Sequence, residues 1–198
     1  MLLSLIGPSG SGKSSIGAIV AKKLEWQFLD SDREIERITG LTVAKIFELY
    51  GEREFRSQEQ EYVRSLIGST DPNRIILSTG GGLPCYENNW HLLQSLGPSI
   101  YLTAPLEVLV TRIADGENRP LLSDFNAASG TSSGTSAGAS TGDSAMRSSQ
   151  ETEILQEKLG KLIAERERIY NRARYKIDTS IDEPDKLADE IIRLLALV

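Results

Sequence analysis

The sequence predicts an α/β fold with a five-stranded parallel sheet flanked by helices on both faces, and three observations carry that expectation. Strand-length apolar runs alternate along the chain with longer segments whose apolar residues fall at helical spacing. The first run stops at a glycine-rich turn that opens directly into a helix. Three unusual loops, at 7–12, 30–32 and 80–82, each follow a strand, so a parallel sheet would gather them at one edge, where such sheets bind ligands.

Leu2-Leu3-Ser4-Leu5-Ile6 is the first strand and ends at Gly7-Pro8-Ser9-Gly10-Ser11-Gly12. Between Lys13 and Leu24, the residues Ile16, Ile19, Val20 and Leu24 mark one face of a helix. Gln27–Asp30 reads as a short strand, followed by a helix over about Asp32–Ile38. A helix over Val43–Tyr50 stops at Gly51, and a longer one runs over about Arg53–Ile67. Arg74–Ser78 is a buried strand halted by Gly80-Gly81-Gly82. A helix over about Glu87–Leu96 leads to the strand Ser99–Thr103, then to a helix over Leu106–Ala114 and a break at Pro120. Helix resumes over about Glu151–Arg174, Tyr175–Asp178 is the last strand, and Pro184 opens a final helix to Leu195.

One stretch is different in kind. Of the 24 residues from Asn126 to Ser149, 20 are Ser, Gly, Ala or Thr. Such a tract buries too little surface to offset the entropy of ordering. It is expected to be a flexible insertion within a single domain spanning 1–198, because the segment C-terminal to it is too short to stand alone.

Composition narrows the function. The net charge of −6 argues against non-specific nucleic-acid or anionic-membrane binding, which needs a basic field. Fourteen arginines against eight lysines favour planar, bidentate anion recognition or are simply surface composition. One cysteine, Cys85, excludes an internal disulfide framework, and one histidine, His91, excludes two-histidine metal motifs. Both are read as structural or surface residues. No apolar run approaches a membrane span, and Leu2–Ile6 runs into the glycine loop without a basic leader, so a cytoplasmic protein is expected.

The strand, loop and helix at the start frame Gly7-Pro8-Ser9-Gly10-Ser11-Gly12-Lys13-Ser14, which fits the phosphate loop G-x-x-x-x-G-K-[ST]. Its glycines let backbone N–H groups turn inward on phosphate oxygens, and the helix start adds partial positive charge. Gly10, Ser11, Gly12, Lys13, Ser14 and Ser15 are the expected ATP-binding residues, with Lys13 reaching the β- and γ-phosphates and Ser14 ligating Mg²⁺. An Asn-Lys-x-Asp guanine motif is absent, and neither the 74–78 nor the 99–103 strand ends in an acid, as a large ATPase would usually require. That leaves small-molecule kinases, with a nucleoside-monophosphate-kinase-like three-layer architecture and a lid. Asp30 and Asp32 can converge beside the phosphate loop, one holding Mg²⁺ through water and the other orienting a substrate hydroxyl. The alternative for Asp32 is a helix N-cap.

Behind the phosphate loop stand Asp30-Ser31-Asp32, Gly51-Glu52-x-x-Phe55-Arg56-x-x-Glu59, Ser78-x-Gly80-Gly81-Gly82 and Arg119-Pro120-Leu121-Leu122. In this order and spacing the chain resembles the shikimate kinases over nearly its whole length except 126–149. The resemblance implies ATP-dependent, Mg²⁺-assisted phosphorylation of the 3-hydroxyl of shikimate by a monomer. It makes Lys13, Asp32 and Arg119 catalytic, and Asp30 with Ser14 the metal side. Asp32, Arg56, Gly80, Gly81, Gly82 and Arg166 would bind substrate, with Phe47 and Phe55 walling the ring. Arg119 would belong to the lid and Arg112 would stack on adenine. As alternatives, Arg56, Arg166 and Arg112 are exposed helix arginines, and Phe47 and Phe55 core residues. Two departures from the family pattern are the 126–149 tract and Ile181-Asp182-Glu183, where many relatives place an adenine-contacting arginine. A kinase of another sugar acid such as gluconate, and a catalytically silent nucleotide-binding regulator, remain the competing functions.

Overall fold

A computed structural model describes residues 1–67, 74–115 and 141–196. Five strands, β1 (Leu2–Ile6), β2 (Gln27–Asp30), β3 (Ile75–Ser78), β4 (Ser99–Thr103) and β5 (Tyr175–Asp178), form one all-parallel sheet in the order β2-β3-β1-β4-β5. Around them lie α1 (Lys13–Leu24), α2 (Ser31–Thr39), α3 (Val43–Ile67), α4 (Asn89–Leu96), α5 (Leu106–Asp115), α6 (Thr141–Tyr170) and α7 (Pro184–Leu195).

Alternation along each strand builds two cores. Leu3, Leu5, Ile76, Ile100 and Leu102 point to one face and bury Ile16 and Val20 of α1 with Leu187 and Ile191 of α7. Leu2, Ile6, Ile75, Leu77 and Tyr101 point to the other, against Ile35, Ile46, Phe55 and Val63 of α2 and α3, Leu93 of α4 and Tyr170 of α6. Full burial on both sides is what near-continuous apolar strands require. A third cluster joins Leu109, Val110 and Ile113 of α5 to Leu155 and Leu159 of α6, fixing the helices that carry Arg112 and Arg166.

Three of the expected boundaries need correction, but the stop at Gly51 holds: α3 is two helices that meet in a kink there, with φ 81° and ψ 171°. That conformation suits glycine, and nothing lies within 4 Å of where its Cβ would be. The helix expected from about Glu87 is preceded by a short 3₁₀ turn, Leu83–Cys85, and α4 starts only at Asn89. The long helix α6 starts at Thr141, not about Glu151, and ends at Tyr170, not Arg174. Once the apolar stripe of the later turns nucleates the helix, adding N-terminal turns costs little. The short loop at 171–174 lets Arg174 N–H reach the carbonyl of Ser99 ahead of β5. The break at Pro120 and residues 126–140 of the tract lie outside the described residues.

Candidate active site

The carboxyl ends of β1, β2 and β3 deliver the three unusual loops to one edge. Gly10 and Gly12 turn with φ 80° and 85°, and α1 begins without a side-chain cap, which leaves its first N–H groups for an incoming anion. Lys13 is 8% exposed and its Nζ donates to the carbonyl of Pro8 at 2.7 Å. Burial pushes its pKa down to about 8, against the pull of Asp32 and Asp30. Phosphate arriving at the loop would supply the negative charge this ammonium lacks.

Ser14 Oγ donates to Asp30 Oδ2 at 2.6 Å and lies 3.2 Å from Ser78 Oγ. Asp30, not Asp32, is the N-cap of α2: its Oδ1 accepts from the N–H groups of Asp32 (3.2 Å) and Arg33 (3.5 Å). Asp32 is thereby released from capping. It sits in the first turn of α2 rather than on an extended segment, and Ser31 Oγ donates to its Oδ1 at 3.2 Å. Burial first, and then the Asp30 charge, push its pKa up to about 6 despite Lys13, Ser31 and Arg56.

Two cavities meet here. One, of about 500 Å³, runs from Gly10, Gly12, Lys13, Ser14 and Ser15 past Asp30 to Arg112, Thr179, Asp182 and Pro184. The other, of about 250 Å³, is bounded by Phe47, Glu52, Phe55, Arg56, Glu59, Gly82 and Arg166. Ser9, Asp32, Gly80 and Gly81 line both. The first has the length and phosphate-loop end suited to a nucleotide; the second is a compact, arginine-bearing chamber.

At the junction the glycines let charged side-chain ends come close to the backbone. A Cβ on Gly80 would lie 2.6 Å from Asp32 Oδ1 and 2.7 Å from Glu59 Oε1, and one on Gly82 would lie 2.5 Å from Arg56 Cζ. Gly81 instead offers its carbonyl to Tyr170 Oη at 2.6 Å, and the place of its Cβ is 3.6 Å from Arg166 Nη1. Phe47 and Phe55 meet with ring centroids 4.9 Å apart, Phe55 being buried, so the two rings are both core and cavity wall.

Arg56 is held rather than exposed. Its Nη1 donates to Glu59 Oε2 at 2.6 Å, while Nε and Nη2 donate to Glu52 Oε1 at 3.2 and 3.1 Å. Arg112 is also not a freely solvated arginine: it donates to Thr179 Oγ1 at 2.9 Å, to the Thr179 carbonyl at 2.7 Å and to the Gly10 carbonyl at 3.4 Å. It ties the phosphate loop to the loop after β5. Arg119 lies outside the described residues. Cys85, its thiol pushed up to about 11 by burial, is poorly suited to nucleophilic chemistry, and His91 is exposed on α4.

Glu59 is the residue that sequence reasoning left out of the site. It is fully buried, and Oε1 has no hydrogen-bond partner. Burial pushes its pKa up to about 7, opposed by Arg56. Its signal in the sequence was its place at the end of Gly51-Glu52-x-x-Phe55-Arg56-x-x-Glu59, three residues after Arg56 on the same helical face.

The oxygen pair Ser14–Asp30 has the hard-donor chemistry of an Mg²⁺ site, and the described residues hold no cluster of three or more candidate ligands. Mg²⁺ usually takes few protein oxygens and completes its shell with water and phosphates, so the residues fit. Among the described residues, no helix is long and apolar enough to cross a membrane.

Comparison with known proteins gives a family. A family model described as shikimate kinase matches residues 9–196. The shikimate kinase of Pelotomaculum thermopropionicum is 36% identical over 191 residues, 96% of this chain and 93% of that protein. That of Pseudomonas syringae is 43% identical over 120 residues, 61% of this chain and 68% of that one. Among solved structures, a shikimate kinase from Acinetobacter baumannii in complex with shikimate superposes with a TM-score of 0.77 at 32% identity, covering 98% of this chain and 92% of that one. A shikimate kinase from Aquifex aeolicus gives 0.71 at 28% identity, covering 99% and 96%. An APS kinase from Mycobacterium tuberculosis, at 15% identity and a TM-score of 0.58, shares the fold.

Proposed function

Because the chain belongs to the shikimate kinase family, we infer that it is an ATP-dependent kinase transferring the γ-phosphoryl group to the 3-hydroxyl of shikimate, a step of aromatic amino acid biosynthesis. The observation that carries this reading is the junction of a phosphate-loop cavity with a smaller chamber at Asp32, Gly80 and Gly81. Phosphoryl transfer needs little beyond such positioning and charge neutralisation.

In this proposal the N–H groups of Gly10, Gly12 and Ser15, with Lys13, hold the phosphates, and that of Ser11 joins them on leaving the Pro8 carbonyl it meets at 3.3 Å. Arg112 flanks the base, and the shift of sequence at 181–183 leaves adenine contact to Arg112 and backbone. Ser14 would hold Mg²⁺, with Asp30 acting through water, and the ion would supply positive charge against the phosphates. Asp32, ionised above a pKa of about 6, accepts the proton of the attacking hydroxyl. Arg56 and Arg166 grip the acceptor carboxylate, the pairing for which guanidinium is best suited. Gly80, Gly81 and Gly82 line the ring, with Gly81 N–H as donor to it, and Arg119 neutralises charge on the transferred group when the lid closes. A monomer is the working unit that the family resemblance implies. The acidic net charge supports small anions, not nucleic acid or membrane, as partners, and a cytoplasmic setting goes with ATP as donor.

A coupled assay of ADP release with Mg-ATP tests the reading. Shikimate-dependent turnover is expected, with gluconate and the acceptor-free control silent. Turnover on gluconate would overturn the acceptor assignment, and nucleotide binding without any turnover would favour the regulatory alternative. Arg56→Ala is expected to raise KM for shikimate at least about tenfold, the loss of a charge-assisted pair.

A further inference from the structure

We propose that Glu52 is a placeholder carboxylate, which occupies Arg56 until the acceptor's carboxylate exchanges for it; the proposal rests on the reading that Arg56 grips that carboxylate. The guanidinium has two partners of different character. Glu59, fully buried, holds Nη1 at 2.6 Å. Glu52 binds the opposite edge, accepting from Nε at 3.2 Å and Nη2 at 3.1 Å through a single oxygen, while its side chain is 63% exposed. Both carboxylates line the smaller chamber. One partner is therefore fixed and the other can leave.

Glu52 is also placed to leave cheaply. It follows Gly51, where α3 is broken by the backbone angles φ 81° and ψ 171° and no neighbour crowds the bend. Released from Arg56, its carboxylate returns to water, so exchange costs little desolvation. In the meantime it keeps a cation that is only 12% exposed from standing with one edge unpaired. The side edge of Arg56, Nε with Nη2, is the one suited to a two-pronged grip on an incoming carboxylate. Glu52 spends only one oxygen on it, whereas an acceptor carboxylate with both oxygens engaged would outcompete it. Glu52 is thus a positioning residue that sets acceptor affinity and favours acceptors with a carboxylate to exchange.

Glu52→Gln removes the competing charge while keeping a group able to hydrogen-bond Arg56. Steady-state kinetics on the full chain should show KM for shikimate falling about two- to fivefold, the scale of a surface-exposed ion pair, with the change in KM rather than kcat. In an Arg56→Ala background the same substitution should change nothing, and the methyl ester of shikimate should be indifferent to Glu52 in either form. An unchanged or higher KM in Glu52→Gln, with Arg56→Ala still raising KM, would overturn the placeholder role alone. If Arg56→Ala left KM for shikimate unchanged, the reading of Arg56 beneath it would fall.

Discussion

Asp32→Asn is expected to cut kcat by about two to four orders of magnitude, the range for removing a general base, while shikimate still binds weakly. The same substitution is expected to raise thermal stability. The two effects have one origin. Asp32 lies in the first turn of α2 beside Asp30 and the wall of Gly80, where burial favours the neutral carboxyl and its pKa is raised to about 6. A carboxyl whose folded pKa exceeds its unfolded value stabilises the fold below the unfolded pKa and loses that contribution as pH rises through the folded one. Ionised Asp32 therefore costs stability above pH 6, on the order of 3 kcal/mol. Asn at this place carries no such cost, so its melting temperature at pH 8 should exceed wild type by roughly 6–12 °C. The difference should close as pH falls from 6 towards 4, where wild-type Asp32 becomes neutral. The acid limb of kcat/KM should report the same group, with activity falling below about pH 6. Near-wild-type kcat in Asp32→Asn would remove Asp32 from the chemistry, and an unchanged melting temperature at pH 8 would remove the strain.

The backbone was largely legible in the sequence because its signals are local. All five strands fall at the short runs read as strands, with only Arg74 dropping out of β3. The phosphate loop was legible for the same reason, since its eight positions are contiguous. What escaped was set by tertiary placement. Capping of α2 falls to Asp30 because Ser14, on α1 and itself 3.2 Å from Ser78 Oγ, holds that carboxylate at the strand end. Arg112 reads as a surface arginine on one face of α5 until the loop after β5 brings Thr179 within reach. Glu59 is the plainest case. Nothing in its neighbours along the chain tells that Gly80, twenty-one residues on, brings its orphaned oxygen to the wall shared with Asp32.

Glu59→Ala is expected to have the largest destabilising effect of any single change at the site. Glu59 Oε2 is the fixed partner of Arg56, a cation only 12% exposed, and removing one member of a buried ion pair typically costs about 3–5 kcal/mol. Glu52 keeps its hold on the other edge of the guanidinium, so the lower end of that range applies. For a chain of this size that is a fall in melting temperature of roughly 6–12 °C. Without Glu59 the guanidinium can tilt away from Gly82, and KM for shikimate should rise about tenfold or more, since misplacement by an ångström is enough to lose such a contact. Glu59→Gln separates the two effects. It fills the same volume and can still accept from Arg56, and it removes a carboxylate that burial already pushes up to about 7. Because that pKa is raised on folding, the ionised Glu59 costs stability as pH rises through 7, and the amide does not. Glu59→Gln should therefore melt near wild type, or above it at pH 8, while KM for shikimate still rises because the neutral amide holds the cation less firmly. An Ala variant that melts like wild type would show that Arg56 is held by Glu52 alone. A Gln variant with unchanged KM would show that volume at this position, and not charge, is what aims Arg56 at the acceptor.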